Sequence, residues 1–504
     1  MTQTDSNRSK LFLASCLSLV STSVGFAVMG GIMAPLKSQF ILSNAQVGAI
    51  SGIGILGFTL AIFALGPLVD LLGMSRLMRF AALCHIGGVI TMITAKGYTG
   101  LYAGALILSL GNGTVEAVCN PLVATLYRDD KTTWLNRFHV WFPGGIVIGA
   151  VLCTLIGRID LGTNPAFQHW QLMLCLIIAP TIAYSLLFTG RDFPKTERVE
   201  AGLSFGQMLA GAFSRPLFWI LALCMCITAT LELGPNRWMS AVLASGGIDG
   251  LLVLAYISGI MALLRFFAGG LIHKLAPTGV IIAGAILGGL GLYLFSYASS
   301  NTMAFGAATL FAVGVAFFWP TMIGFTAERL PRSGALGLAL MGGIGMLAVS
   351  HVIPVMGKQA DHYLHENLDK KAAREAIAAA AAAWPKLAEG QNEVFKKEIL
   401  QAASDAESVL KEAELPELKT AAAMQGLIKN APPGEKTAKV KENGIAADKL
   451  TAQLKAVLNP ADNKGGLMSF RLLAPFAGLL VLIFGTIWFL DRRNGGYKAE
   501  QIQH

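Results

Sequence analysis

Glu116 lies in the middle of the apolar stretch SLGNGTVEAVCNPLVATLY, and Asn112 and Asn120 stand four residues to either side of it. Residues four apart share a helix face, so the three form a line of one carboxyl and two amides that is expected to point inward. Pro121 follows directly and, having no N–H, leaves a backbone carbonyl one turn back open to another donor. A second acid, Glu232, sits in TATLELGPNRW beside Gly234, Pro235, Asn236 and Trp238. There a glycine and a proline interrupt the helix where an acid, an amide and an indole converge, a usual mark of a binding site. An ionisable side chain deep in lipid costs about 3 kcal/mol and is kept for a task. The tasks open to this set are proton exchange on a carboxyl and hydrogen bonding to a hydroxyl-rich solute. His139, in LNRFHVWFPGGIVIG, is expected near the end of its apolar run, and Trp319, before Pro320, offers an indole face to a sugar ring. His85 and His351 lie in apolar surroundings and are read as structural histidines. No nucleophile and base pair, metal cluster or nucleotide loop is found, because GxG pieces such as Gly111 to Gly113 lack a strand and turn context. Hence no catalytic residue, metal or cofactor is expected.

The elements that position these groups are membrane helices. Of the 504 residues 54% are hydrophobic and only 14% charged, far more apolar material than a soluble chain uses. A bilayer core of roughly 30 Å takes about 20 apolar residues per helix. Twelve such runs occur, at about 10–34, 45–69, 76–96, 99–127, 135–158, 168–190, 216–245, 248–272, 277–299, 301–328, 334–357 and 468–490. The first run lacks a small-residue cleavage site and is read as a retained helix.

The net charge of +9 is placed by topology. Lys and Arg gather in alternate connections: Arg8 and Lys10, Arg76 and Arg79, Arg128 to Arg137, Arg191 to Arg215, Arg265 and Lys274, Arg329 and Arg332, and Arg492 to Lys498. The opposite connections hold only Lys37, Lys96, Arg158, Arg237 and Arg471, apart from one insertion. By the positive-inside rule both termini are expected in the cytoplasm, and nucleic acid is not expected as a partner. The seven cysteines all fall inside apolar runs, with no disulfide or metal-ligand spacing, and are read as packing residues.

Residues 358–466 interrupt this pattern with as many acidic as basic side chains. An alanine tract and breaks at Pro385, Pro416 and Pro432-Pro433 point to several helices. In one of them, 392–415, Phe395, Ile399, Ala402, Ala406, Val409 and Ala413 form an apolar seam. A small extracytoplasmic helical domain is expected here, with no part in transport or with an extracytoplasmic partner of its own. The organisation expected is therefore 1–190 as a first six-helix bundle, 191–215 as a cytoplasmic linker and 216–357 as helices seven to eleven. Then come 358–466 as the insertion and 467–504 as helix twelve and tail.

The string GPLVDLLGMSR (Gly66 to Arg76) closes the second run, and its echo GGLIHKLAP (Gly269 to Pro277) closes the eighth. With twelve runs and a repeat after six, the chain resembles the major facilitator superfamily over roughly 10–357 and 468–490. The resemblance implies two six-helix bundles and a gating motif of Gly66, Asp70, Gly73, Arg76 and Arg128 that latches them on the cytoplasmic side. The second copy has His273 and Lys274 where a carboxylate is expected. Within the superfamily GNGTVEAVCNP, LNRFHVWFPGG and FFWPTMIGFTAERLP look most like the branch that includes fucose/proton symporters. That likeness implies roles for Glu116, Asn120, Pro121 and His139, whereas the acid which that branch carries in its first helix is missing from GFAVMGGIMAPLKSQF.

The resulting expectation is an all-helical, multi-pass transporter of the plasma membrane, or of the inner membrane in a two-membrane bacterium. It moves a small hydroxylated solute, a monosaccharide foremost, by alternating access with proton symport. Rival readings are a polyspecific exporter, a carrier for nucleosides or organic acids, and a membrane sensor or scaffold that binds through the insertion. Arg237 is the only deep cation in this reading, which argues against strongly anionic cargo.

Overall fold

The computed structural model describes residues 3–40, 42, 44–161, 167–245, 250–298, 300–389, 393–431 and 438–501. Among the described residues all regular structure is helical. Ten helical stretches are long and apolar enough to cross a membrane, and two shorter apolar helices, Ala49–Leu65 and Val253–Phe266, stand at the second and eighth expected runs. The first half comprises α1 (Gln3–Gln39), α2 (Asn44–Leu65), the short α3 (Val69–Leu72), α4 (Met74–Ile93), α5 (Tyr98–Leu126), α6 (Lys131–Phe138), α7 (Trp141–Gly157), α8 (His169–Cys175) and α9 (Ile178–Phe188). A linker with α10 (Glu197–Glu200) and α11 (Phe205–Phe213) leads to α12 (Pro216–Ser245), α13 (Gly250–Phe266), α14 (Ala268–Phe295), α15 (Asn301–Val315), α16 (Phe318–Arg329) and α17 (Gly334–Asn367). The helices α18 (Lys370–Leu387), α19 (Glu393–Leu410), α20 (Glu417–Lys429) and α21 (Ala438–Ser469) precede α22 (Ala474–Arg493).

In the first half α1 packs on α7 and α9, and α5 on α2 and α4; in the second α14 packs on α15 and α22, and α12 on α17. The halves meet through α2 and α5 against α17, α6 against α14 and α16, and α7 against α13. The repeat seen in the two GG-type strings is written into the backbone. One offset along the chain relates Gly66 to Gly269, Asp70 to His273, Gly73 to Ala276 and Tyr127 to Leu330. Gly73 turns at φ 86, ψ 136, and Ala276 is forced into a similar turn at φ 57, ψ 163, a region that side chains other than glycine rarely adopt. Tyr127 ends α5 at φ −130, ψ 60 and Leu330 ends α16 at φ −131, ψ 52, each followed by a single turn of 3₁₀-helix.

Besides the sixth, which divides into α8 and α9, two expected runs are broken at positions that bear on the site. The fifth divides into α6 and α7 around His139, and the tenth into α15 and α16 at Ala316–Phe317. Proline is the cause in both: Pro143 and Pro320 lack the N–H that would bond the carbonyls of His139 and Ala316, four residues back.

The helices α18 to α21 share an apolar core with the far end of α17, separate from the core of the two halves. Trp384 is fully buried in it and donates its indole N–H to the Leu427 carbonyl at 3.0 Å. The expected boundaries at 358 and 466 fall inside α17 and α21, which pack on each other and carry this core outward from the second half. Along α19, Ile399, Ala402, Ala406 and Val409 are buried and Phe395 packs at the edge. The helix stops short of the expected seam at Leu410, leaving Ala413 exposed, because Arg374 takes the carbonyls of Leu410, Glu412 and Ala413 at 2.9–3.1 Å. Asn392 and the Pro432-Pro433 break lie outside the described residues.

Candidate functional site

The carbonyls freed by the two prolines converge on one guanidinium. Arg265, near the end of α13, is 1% exposed; its Nε donates to the Ala316 carbonyl at 2.5 Å and its Nη1 to the His139 carbonyl at 3.1 Å. Its Nη2 pairs with Glu232 Oε1 at 2.7 Å, and Glu232 Oε2 accepts the Trp319 backbone N–H at 3.2 Å. A single arginine thus ties α7, α12, α13 and the α15–α16 break together across both halves. Sequence reading assigned Arg265 to the basic connections and saw no deep cation beyond Arg237; the structure corrects this. The signal was present in the two prolines, whose orphaned carbonyls require a buried donor.

Glu116 belongs to the same network from the other side. Asn120 Nδ2 donates to Glu116 Oε2 at 2.7 Å, and Asn120 Oδ1 lies 3.0 Å from His139 Nε2. Arg265 is also within electrostatic reach of Glu116. The chain of contacts runs Glu116, Asn120, His139, Arg265, Glu232, all at most 5% exposed. Two acids therefore flank one cation, and they do so through packed protein groups. His139, expected near an end of its run, sits in this network.

Asn112 turns elsewhere. Its Oδ1 lies 3.0 Å from His85 Nε2, whose Nδ1 meets Tyr184 Oη at 3.1 Å and Ser21 Oγ at 3.3 Å. These groups form a polar cluster inside the first half, so His85 has partners on both ring nitrogens, as read from the sequence. Trp319 is 7% exposed and supplies its backbone N–H, not its indole, to Glu232. Asn236 has a buried Oδ1 with no hydrogen-bond partner among the described residues. The side chains of Trp238 and Arg237 lie outside the described residues.

The face that carries the Gly66–Arg76 turn, the linker and the chain ends is closed between the halves. A Cβ on Gly66 would stand 2.0 Å from the Ala339 Cβ, so only glycine admits this contact of α2 with α17. Asp70 accepts from Arg198 at 2.7 Å and from Thr196 Oγ1 at 2.8 Å, both in the linker. The expected partners stand apart from it: Arg76 is exposed, and Arg128 pairs with Glu200 at 2.5 Å, also in the linker. His273 Nε2 meets Asp130 Oδ2 at 3.0 Å, so the second copy of the turn contacts a carboxylate on the first half. Lys131 bridges Glu197 at 2.8 Å and the Ala327 carbonyl at 3.3 Å. Glu328, at the end of α16, accepts the Thr132 backbone N–H at 2.9 Å and its hydroxyl at 2.7 Å. A carboxylate of one half thereby satisfies an open N–H at the start of α6 in the other.

Comparison with known proteins agrees with this architecture. The chain is 24% identical over 178 residues to synaptic vesicle glycoprotein 2B of Rattus norvegicus, spanning 34% of this chain but only 26% of that protein. It is 21% identical to the 2-nitroimidazole transporter of Escherichia coli K12, covering 71% of this chain and 90% of the relative. Among solved structures, the Escherichia coli fucose:proton symporter superposes with a TM-score of 0.58 at 18% identity, covering 69% of this chain and 92% of that one. The family model of the Major Facilitator Superfamily matches residues 11–350. With two helical halves, a repeated turn and that match over most of its length, this chain is a multi-pass membrane protein belonging to the major facilitator superfamily.

Proposed function

We propose that the chain carries a small hydroxylated solute, a monosaccharide foremost, by alternating access, with Glu116 exchanging the coupled proton. The observation that supports this most is the unequal pairing of the two acids. Glu232 has a guanidinium and a backbone N–H; Glu116 has one side-chain amide. Two buried carboxylates against one cation leave an uncompensated negative charge, which is expensive in a low-dielectric site and is relieved by one proton. The acid with the weaker partners is the one to take it. Asn236, whose Oδ1 has no partner among the described residues, completes the solute side on α12, and release of the bonds of Asn120 and His139 frees amide and imidazole for hydroxyl groups.

In this reading twelve helices span the membrane, α2 and α13 included, and the basic connections put both termini in the cytoplasm. The closed face is then cytoplasmic, and the α18–α21 core is extracytoplasmic. A second reading is favoured by Arg265: a carboxylate-bearing solute would replace Glu232 on the guanidinium once Glu232 is protonated. The 2-nitroimidazole transporter similarity keeps drug-like cargo in view as well. Counterflow in proteoliposomes against monosaccharides, organic acids and nitroimidazoles separates these. Exchange of a sugar supports the first reading; exchange confined to acids or nitroimidazoles refutes it.

A further inference from the structure

After α22 the chain reverses through Gly495 and Gly496, both at positive φ (89 and 96), and runs back across the closed face. Gly496 N–H closes the turn on the Asp491 carbonyl at 2.8 Å. The tail then makes contacts of three kinds with the end of α16 and the linker. The Tyr497 hydroxyl donates to Glu328 Oε2 in a short hydrogen bond, and the Glu500 N–H donates to the Glu328 carbonyl at 2.8 Å. Arg329 pairs with Asp491 and lays its guanidinium 4.6 Å from the Tyr497 ring centre. Arg215 holds both Glu500 oxygens, at 2.5 and 3.1 Å.

Glu328 is the group that makes this arrangement more than a docked end. Its Oε1 is the acceptor for Thr132 of the opposite half, while its Oε2 is the acceptor for Tyr497. The carboxylate is thus shared between the inter-half contact and the tail, and the tyrosine fixes the rotation that aims Oε1 at α6. Burial, with the Glu328 carboxylate alongside, holds the Tyr497 hydroxyl above its ordinary range, so it remains a donor. The Arg215 and Glu500 pair is nearly half exposed and adds little by itself.

We propose that residues 494–501 form a strap that holds the closed face shut by positioning Glu328, and that Tyr497 is its positioning residue. The strap concerns the equilibrium between closed and open forms of that face, and it rests on the alternating-access reading only for its consequence in transport. Without the hydroxyl, Glu328 is free to turn from Thr132, and α6 loses an acceptor that only the second half supplies.

The test reads conformation without any solute, so it stands even where the assigned cargo is wrong. Spin labels at Arg79→Cys on α4 and Lys274→Cys on α14, both exposed, report the separation of the halves on this face by double electron–electron resonance. The full-length chain in nanodiscs is expected to show mainly the short separation. Tyr497→Phe is expected to raise the long-separation population about threefold or more, as loss of a hydrogen bond to a charged acceptor implies. Its unfolding midpoint is expected to match the parent. A chain ended after Asn494 is expected to open at least as far, and Arg215→Ala, which spares Glu328, to open less than Tyr497→Phe. Unchanged separations in both Tyr497→Phe and the shortened chain would overturn the strap. So would a fall in stability with no change in separation.

Discussion

Replacing Arg265 tests the central network most severely. Arg265→Met removes a buried cation that pairs with Glu232 at 2.7 Å and serves two carbonyls that prolines have stripped of their helical partners. Breaking one partner of a buried pair costs about 3–5 kcal/mol, because the other charge stays behind without compensation. Two stranded carbonyls add to this, at about 1–3 kcal/mol each where water cannot reach them. Arg265→Met is therefore expected to lose at least about 4 kcal/mol. Glu232→Gln is expected to lose less, about 2–3 kcal/mol, since Glu116 remains within reach of the guanidinium. The double variant is expected to lose less than the sum of the two, with a coupling of about 2 kcal/mol or more. Equilibrium unfolding in mixed micelles, followed by tryptophan fluorescence, gives all three values. Additive losses, or a loss below about 1 kcal/mol for Arg265→Met, would refute the pairing and the bridging of the two breaks.

Other positions give further checks. Gly66→Val places a side chain where the Ala339 Cβ already stands, so the closed face is expected to open, seen as faster labelling of a cysteine introduced at Ala339. Ala276→Gly relieves the turn at φ 57 and is expected to stabilise the chain by about 1 kcal/mol in the same unfolding assay; a loss of stability would argue against that backbone. His85→Phe strands Asn112 and Tyr184 and is expected to cost about 2–3 kcal/mol while leaving solute selectivity in counterflow unchanged. Trp384→Ala is expected to loosen the α18–α21 core by about 3–5 kcal/mol, read as local amide exchange there, with α4 and α5 still protected.

The apolar runs, the repeat and the motif glycines were legible because they depend on composition, period and steric allowance, all local properties. The line of Asn112, Glu116 and Asn120 was legible only in part. At 100° per residue, positions eight apart diverge by about 80°, enough to send Asn112 to His85 while Asn120 meets His139. Arg265 was missed for a different reason. In ALLRFFAGG it stands seven residues from the apolar run's expected end, and charge counting treats such an arginine as an edge marker. Pro143 and Pro320 announced the orphaned carbonyls, but only the packing of α13 between α7 and α15 says which side chain answers them. Asp70 met the linker instead of Arg76 for the same reason: partners distant in sequence are chosen by tertiary packing, not by motif spacing. The early end of α19 likewise depended on Arg374, a residue of another helix.

Glu116 is the proposed carrier of the coupled proton. The most direct measurement is solute-driven proton movement in proteoliposomes, recorded beside solute exchange for the parent chain and Glu116→Gln. The parent is expected to move protons with its solute. Glu116→Gln, neutral at every pH, is expected to keep exchange and lose the proton movement. Proton movement that persists in Glu116→Gln would contradict the account.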